Sequence, residues 1–167
     1  MSIGDVNSTE KGSAARYNDG KPELAQIPMG IWMNLVCGKD DANAAWVMSV
    51  LNDWNCYQAT GTKIYLRHAV RHIPKMYLEE AARVLEYGAK KYKQWNWTKG
   101  QPWSVPFNSG LRHVAAWLEG EEFDEESNRL HLGHFACNAI FLAYYVYYYP
   151  EGEDWVCFNP QDGEEDE

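Results

Sequence analysis

Three stretches of this chain repeat apolar residues every third or fourth position, and almost nowhere do they alternate at every second one. That pattern suits helices that bury one face and offers little to a sheet. The spacing predicts a helix over Lys75–Tyr92, opened by Pro74, with Tyr77, Ala81, Val84, Leu85 and Gly88 as its core stripe. A second is predicted over Ser109–Glu119, capped by Asn108 or Ser109 and closed by Gly120, burying Leu111, Val114, Ala115 and Leu118. A third runs over Ser127–Tyr149, started by Asp124 or Ser127. Upstream, Gln26–Val36 can open a helix after Pro28, and Asp40 or Asp41 can cap another that buries Val47, Met48 and Leu51. Lys63–His72 is a basic segment of undecided type, and Lys93–Asn108 reads as an aromatic loop. The expected fold class is all-α.

At 167 residues the chain has the length of one domain, and its 8 Trp and 11 Tyr exclude a disordered composition. The division expected is a flexible start over 1–15, a single all-α domain over 16–150 and an acidic tail over 151–167. No apolar run approaches the ~18 residues of a membrane helix, and Met1–Gly12 lacks a signal-peptide core. A cytoplasmic protein with no membrane partner is expected. Cys37, Cys56, Cys137 and Cys157 show no zinc spacing and read as reduced thiols without chemistry.

The net charge of −9 is unevenly spread. The segment 151–167 holds 8 acidic residues and no Lys or Arg, which leaves the rest near neutrality. Lys63–Lys99 is a basic block and Glu121–Glu126 an acidic one. Solvated surfaces explain such blocks, and so does a phosphate-rich ligand held through a metal ion. On the predicted helix over 75–92, Glu79 and Glu86 pair with Arg83 and Lys90 on an outer face, whereas Glu80 borders the apolar stripe. Ser127, His131, His134 and Asn138 share one face of the last helix, and His113 adds a third imidazole near the acidic cluster. Glu121, Asp124 and Glu126 stand at a helix–turn–helix junction where carboxylates can converge on a cation. Solvation suffices for Glu122 and Glu125.

Several strings then occur in a fixed order: Arg16-Tyr17-Asn18-Asp19-Gly20-Lys21-Pro22, the run Glu80–Tyr92, Asn96-Trp97, Leu111-Arg112-His113, Gly120–Ser127 and His131-Leu132-Gly133-His134. Together they resemble the phage dATP/dGTP diphosphohydrolase family, itself similar to the MazG-like all-α nucleotide pyrophosphohydrolases. The resemblance covers about 16–28 and 77–145. Residues 29–74 form a longer segment than in typical members, and a lid, a specificity element or an oligomer contact are its candidate roles. Glu79-Glu80 match the first carboxylates of the MazG-like EExxE pattern, while Arg83 replaces the third and His131 and His134 stand near the second pair.

The resemblance implies hydrolysis of a purine deoxynucleoside triphosphate, dGTP or dATP, to monophosphate and pyrophosphate, with a divalent metal: Mg or Mn, or Co. Metal ligands are then sought among Glu79, Glu80, Glu121, Asp124, His131 and His134, and catalytic groups in Glu80, His113 and His134. Arg16, Lys21, Lys90, Lys91 and Arg112 are candidates for the phosphates, and Tyr17, Asn18, Asn96 and Trp97 for base and sugar. A non-catalytic nucleotide-binding protein on the same fold is the alternative. Nucleic-acid binding is disfavoured by the near-neutral body and acidic tail. The tyrosines Tyr144, Tyr145, Tyr147, Tyr148 and Tyr149 crowd one helix end, from which a homo-oligomer, dimer or tetramer, is expected.

Overall fold

Pro74 fixes an extended backbone and lacks an N–H of its own, and the first helix turn forms directly after it. In the computed structural model, which describes residues 4–16 and 20–154, that helix spans Lys75–Tyr92 as its periodicity predicts. It is the fourth of six among the described residues: α1 Met29–Cys37, α2 Ala44–Thr60, α3 Ile64–Ala69, α4 Lys75–Tyr92, α5 Ser104–Leu118 and α6 His131–Tyr148. No strand occurs among these residues, and Phe123 and Leu130 form an isolated antiparallel bridge. The protein is all-α. None of the described helices is long and apolar enough to cross a membrane.

Three helix starts differ from expectation. Helix α2 begins at Ala44 after Asn43, not after Asp40 or Asp41, because the Asp41 carboxylate accepts from the Asn43 N–H (2.7 Å) in a turn ahead of the helix. Helix α5 begins at Ser104, not Ser109, because Asp154 accepts hydrogen bonds from the Ser104 N–H (2.8 Å) and hydroxyl (2.6 Å) and so satisfies its N-terminus. Pro106 falls within the first turn, where a missing N–H costs nothing. Helix α6 begins at His131, not Ser127. Asp124 uses its carboxylate on the Ser127 N–H and hydroxyl, both at 2.9 Å, and Asn128 takes a left-handed φ of 56°. Local side-chain bonds of this kind compete with helix, and here they win. The undecided segment over 63–72 is α3 followed by a 3₁₀ turn.

Helix α6 is the central element and packs against α3, α4 and α5. The segment 29–74 is no appendage. Trp54 of α2 is fully buried and meets Phe107 of α5 (5.0 Å, 80°) and Phe135 of α6 (5.3 Å, 65°) edge-on. Gln58 of α2 also accepts a hydrogen bond from the Met29 N–H at the start of α1. The crowded tyrosines divide between core and surface. Tyr145 is buried, Tyr144 stacks on Tyr148, and Arg67 lies over the Tyr147 ring at 4.1 Å.

Residues read from the sequence as a flexible start are tied down in their described part. The N–H groups of Gly12 and Ala14 donate to the carbonyls of Lys99 and Gly100 (2.7 and 3.1 Å). Asn96 completes the attachment through its side-chain amide, accepting from the Ala15 N–H (3.0 Å) and donating to the Ala15 carbonyl (2.9 Å). The Tyr149 ring fills the space beside Gly100, whose φ is 99° and whose added Cβ would stand 2.5 Å from that ring. Gly100→Ala is therefore expected to cost about 2 kcal/mol or more in denaturant unfolding. It should also speed hydrogen exchange in residues 12–15, because the partner carbonyls of that segment must move.

Candidate active site

A cavity of about 780 Å³ opens between the second half of α4, the loop after it, and the facing sides of α5 and α6. Ala14, Ala15 and Arg16 close one wall, so the attachment just described shapes the cavity. A volume of this size suits a small organic ligand. Ten of the residues sought from the sequence line it: Arg16, Lys21, Lys90, Lys91, Asn96, Trp97, Arg112, His113, Asp124 and His134. Tyr17 and Asn18 lie outside the described residues.

Three imidazoles meet at the junction of α5, α6 and the 121–130 turn. His113 stacks on His134 (4.3 Å between ring centres, 9° between planes), and its Nδ1 lies 2.9 Å from His131 Nδ1. Two ring nitrogens so close are stable only when they share a proton or a cation. Glu121 Oε2 stands 3.5 Å from His131 Nε2, which has no hydrogen-bond partner, and favours a proton on that nitrogen. His131 Nδ1 is then the bare nitrogen of the pair and accepts from His113. Desolvation, with His134 and His131 as neighbours, holds His113 well below the ordinary imidazole range.

A second chain runs through Ser127. Its hydroxyl donates to Asp124 Oδ2 (2.9 Å), so at 2.7 Å from His134 Nε2 it accepts, and neutral His134 carries its proton on Nε2. Desolvation lowers His134 despite the nearby Asp124. For Asp124, burial works upward, but the Ser127 N–H and hydroxyl bonds and the histidines outweigh it and lower the carboxyl. His113, Asp124 and His131 each place one ligand atom within 4.8 Å of the others, an arrangement that can hold a metal ion.

Cations gather in the same cavity. Burial lowers Arg16 and Arg112. Lys21 is lowered by burial and then by the Arg112 charge beside it. Partly desolvated positive groups crowded in this way gain from an incoming anion. Lys91 is committed to Glu126, which also accepts from the Tyr87 hydroxyl at 3.1 Å. Tyr87, on a helix flank, is thus a cavity residue that the sequence did not single out, and Glu126 of the acidic junction lines the cavity beside it.

Other expected residues stand apart. Glu79 is exposed and pairs with Lys75 at 3.8 Å rather than with Arg83, away from the imidazoles. Glu80 lies against Gly133, with Oε2 buried, lacking a hydrogen bond and 3.7 Å from Arg129 Nε; it does not line the cavity. Glu86, read as an outer-face residue, is exposed but does line it. Glu121 faces a separate, smaller cavity of about 290 Å³, lined also by Lys39, Asp41 and Trp117. The Asn96 amide is occupied by Ala15. Helical spacing could not reveal these separations, because they depend on which helix packs where.

The model of the dATP/dGTP diphosphohydrolase, N-terminal family matches residues 59–154, more than half of the chain. The chain belongs to that family, one of nucleotide diphosphohydrolases. The matched stretch contains the imidazole cluster, Asp124 and the cavity-lining part of α4. No curated protein and no solved structure matched.

The depressed histidines have a measurable consequence. His113 and His134 bind protons more weakly folded than unfolded, where an ordinary value near 6.5 applies. Below that pH the unfolded chain takes up protons first, so stability is full above about pH 6.5 and declines beneath it. The urea midpoint is expected to fall between about pH 7 and about pH 5.5, and His113→Gln should shrink that fall.

Proposed function

We propose that the protein hydrolyses purine deoxynucleoside triphosphates, dGTP or dATP, to the monophosphate and pyrophosphate with a divalent metal ion. Family membership supports the reaction class. The observation that carries the reading is one cavity shared by a neutral-imidazole and carboxylate cluster and by the cations Lys21, Arg16 and Arg112. The first can hold a metal and handle a proton; the second neutralises phosphate oxygens.

His113, Asp124 and His131 are the residues that would hold the ion. The fit rests on the 2.9 Å approach of two imidazole nitrogens, which a shared cation stabilises as well as a shared proton does. Two nitrogens with one carboxylate suit Mn or Co better than Mg, which favours oxygen ligands. When bound, such an ion neutralises phosphate charge and lowers the pKa of a coordinated water. Glu121 is assigned to orienting His131 through Nε2, not to binding the ion directly.

The chain's own part in the reaction follows from protonation. His134 is neutral, lines the cavity and has its proton fixed on Nε2 by Ser127, so Nδ1 can receive one. Water attacks the α-phosphorus, its proton passes to His134, and the bond to the β-phosphate oxygen breaks to release pyrophosphate. Arg112 and Lys21 take up the charge that develops on the leaving group. The negative charge of Glu80 favours protonated His134, so it assists this transfer from outside the cavity.

Product analysis with dGTP and dATP, with Mn and then with chelator, tests the reading. Monophosphate and pyrophosphate are expected only with metal. Asp124→Asn should abolish turnover while keeping the helical circular-dichroism signal. Glu121→Gln should weaken metal affinity by about 10- to 100-fold, as loss of an orienting partner does. Full activity in chelator, or release of inorganic triphosphate, contradicts the assignment.

A further inference from the structure

The cavity rim carries a tryptophan that the packing does not explain. Trp95 is 62% exposed and follows α4 in a turn where it has φ 63° and ψ 12°, while Lys93 has φ 87°. Two non-glycine residues with positive φ, one of them aromatic, lie within three positions. A bulky side chain in that conformation is disfavoured, and glycine or asparagine would adopt it with less strain. The surroundings nevertheless fix it. The Thr98 N–H and hydroxyl both donate to the Trp95 carbonyl, at 3.0 and 2.6 Å, and buried Asn96 is held at both ends by the Ala15 backbone. Strain kept in place by its neighbours, at an exposed aromatic residue that lines a cavity, points to use of the ring.

Other rings around the cavity are committed. Trp97, the aromatic that the family resemblance marks for the base, stacks on Phe141 at 4.9 Å and meets Tyr144 edge-on at 4.9 Å. The Tyr87 hydroxyl is bound to Glu126, and the Lys91 ammonium lies over the Tyr92 ring at 5.2 Å. Trp95 is the large aromatic that keeps most of its surface open. We infer that Trp95 is the platform on which the base of the nucleotide stacks. This rests on the nucleotide reading above and adds a binding residue to it. Stacking uses the π-face that every base has, so Trp95 supplies affinity, and purines gain most through their larger ring.

The test compares dGTP with inorganic tripolyphosphate, which has the anion and no base, on wild type, Trp95→Ala and Trp95→Phe. Trp95→Ala is expected to raise the KM and Kd for dGTP by about 10-fold or more, to leave kcat nearly unchanged, and to leave tripolyphosphate inhibition unchanged. Trp95→Phe should restore most of the dGTP affinity. Unchanged dGTP binding by Trp95→Ala overturns the inference and leaves the functional reading standing. Equal losses for dGTP and tripolyphosphate overturn it too, because they mark a structural role. So does a changed mass by light scattering, which makes Trp95 an interface residue. Wild type that binds neither dGTP nor dATP overturns the functional reading, and this inference with it.

Discussion

The contact between Trp54 and Gly110 governs where the imidazoles stand. A Cβ on Gly110 would lie 3.0 Å from the tip of the Trp54 ring and 3.3 Å from the Cβ of Asn138, so no side chain fits between α5 and its neighbours there. The same tryptophan meets Phe107 on α5 and Phe135 on α6. His113 follows Gly110 by one helical turn, and His134 immediately precedes Phe135. The stacking of the two imidazoles is thus the downstream result of a close helix approach set in the aromatic core. The indole N–H of Trp54 is buried without an acceptor, a cost of about 1–3 kcal/mol that the ring's packing must outweigh. A packed interior of this kind transmits displacement, and a gap opened at residue 110 would withdraw His113 from both partners.

Desolvation then does two things at once in the cavity. It keeps His113 and His134 neutral, so their lone pairs stay available to a cation or a proton. It also leaves Arg16, Lys21 and Arg112 short of water, which makes them receptive to phosphate oxygens. The second effect costs folding stability, and the first does so below about pH 6.5, where the unfolded chain takes up the protons. A ligand carrying negative charge offsets the second, and a metal ion offsets the first by using the lone pairs. The neutral histidines and the crowded cations are complementary parts of one electrostatic arrangement, which binding relaxes.

Periodicity carried the bounds of α4, because Tyr77, Ala81 and Val84 face the core at regular steps and Pro74 gives an unambiguous start, but Gly88, read as the end of that stripe, lines the cavity instead. It failed at the starts of α5 and α6, where the deciding groups are Asp154, far along the chain, and the Asp124–Ser127 side-chain bonds. The site divides in the same way. One helical face accounts for His131, His134 and Asn138, and the sequence shows it. The pairing of His113 with His131 joins residues of different helices, and the separation of Glu80 from the cavity depends on how α4 meets α6 at Gly133. Trp95 was legible as an aromatic, but its backbone strain and exposure were not. The neighbouring Asn-Trp pair drew the binding role, and both its residues are occupied in holding the wall together.

That wall is assembled from parts far apart in the chain. Asn96 holds Ala15, Lys99 and Gly100 hold Gly12 and Ala14, and the Tyr149 ring, whose residue accepts a bond from Trp103 Nε1 at 2.9 Å, supports Gly100. Residues before α1, between α4 and α5, and after α6 therefore depend on one another. Arg16 is the first charged side chain beyond this attachment, and it lines the cavity together with Trp95. Because Asn96 joins Ala15 on one side and is covalently next to Trp95 on the other, the positions of the arginine and the indole are coupled through a single amide. A ligand that contacts both would stabilise the closed wall as it binds, so its binding free energy and the order of the segment before α1 are linked quantities.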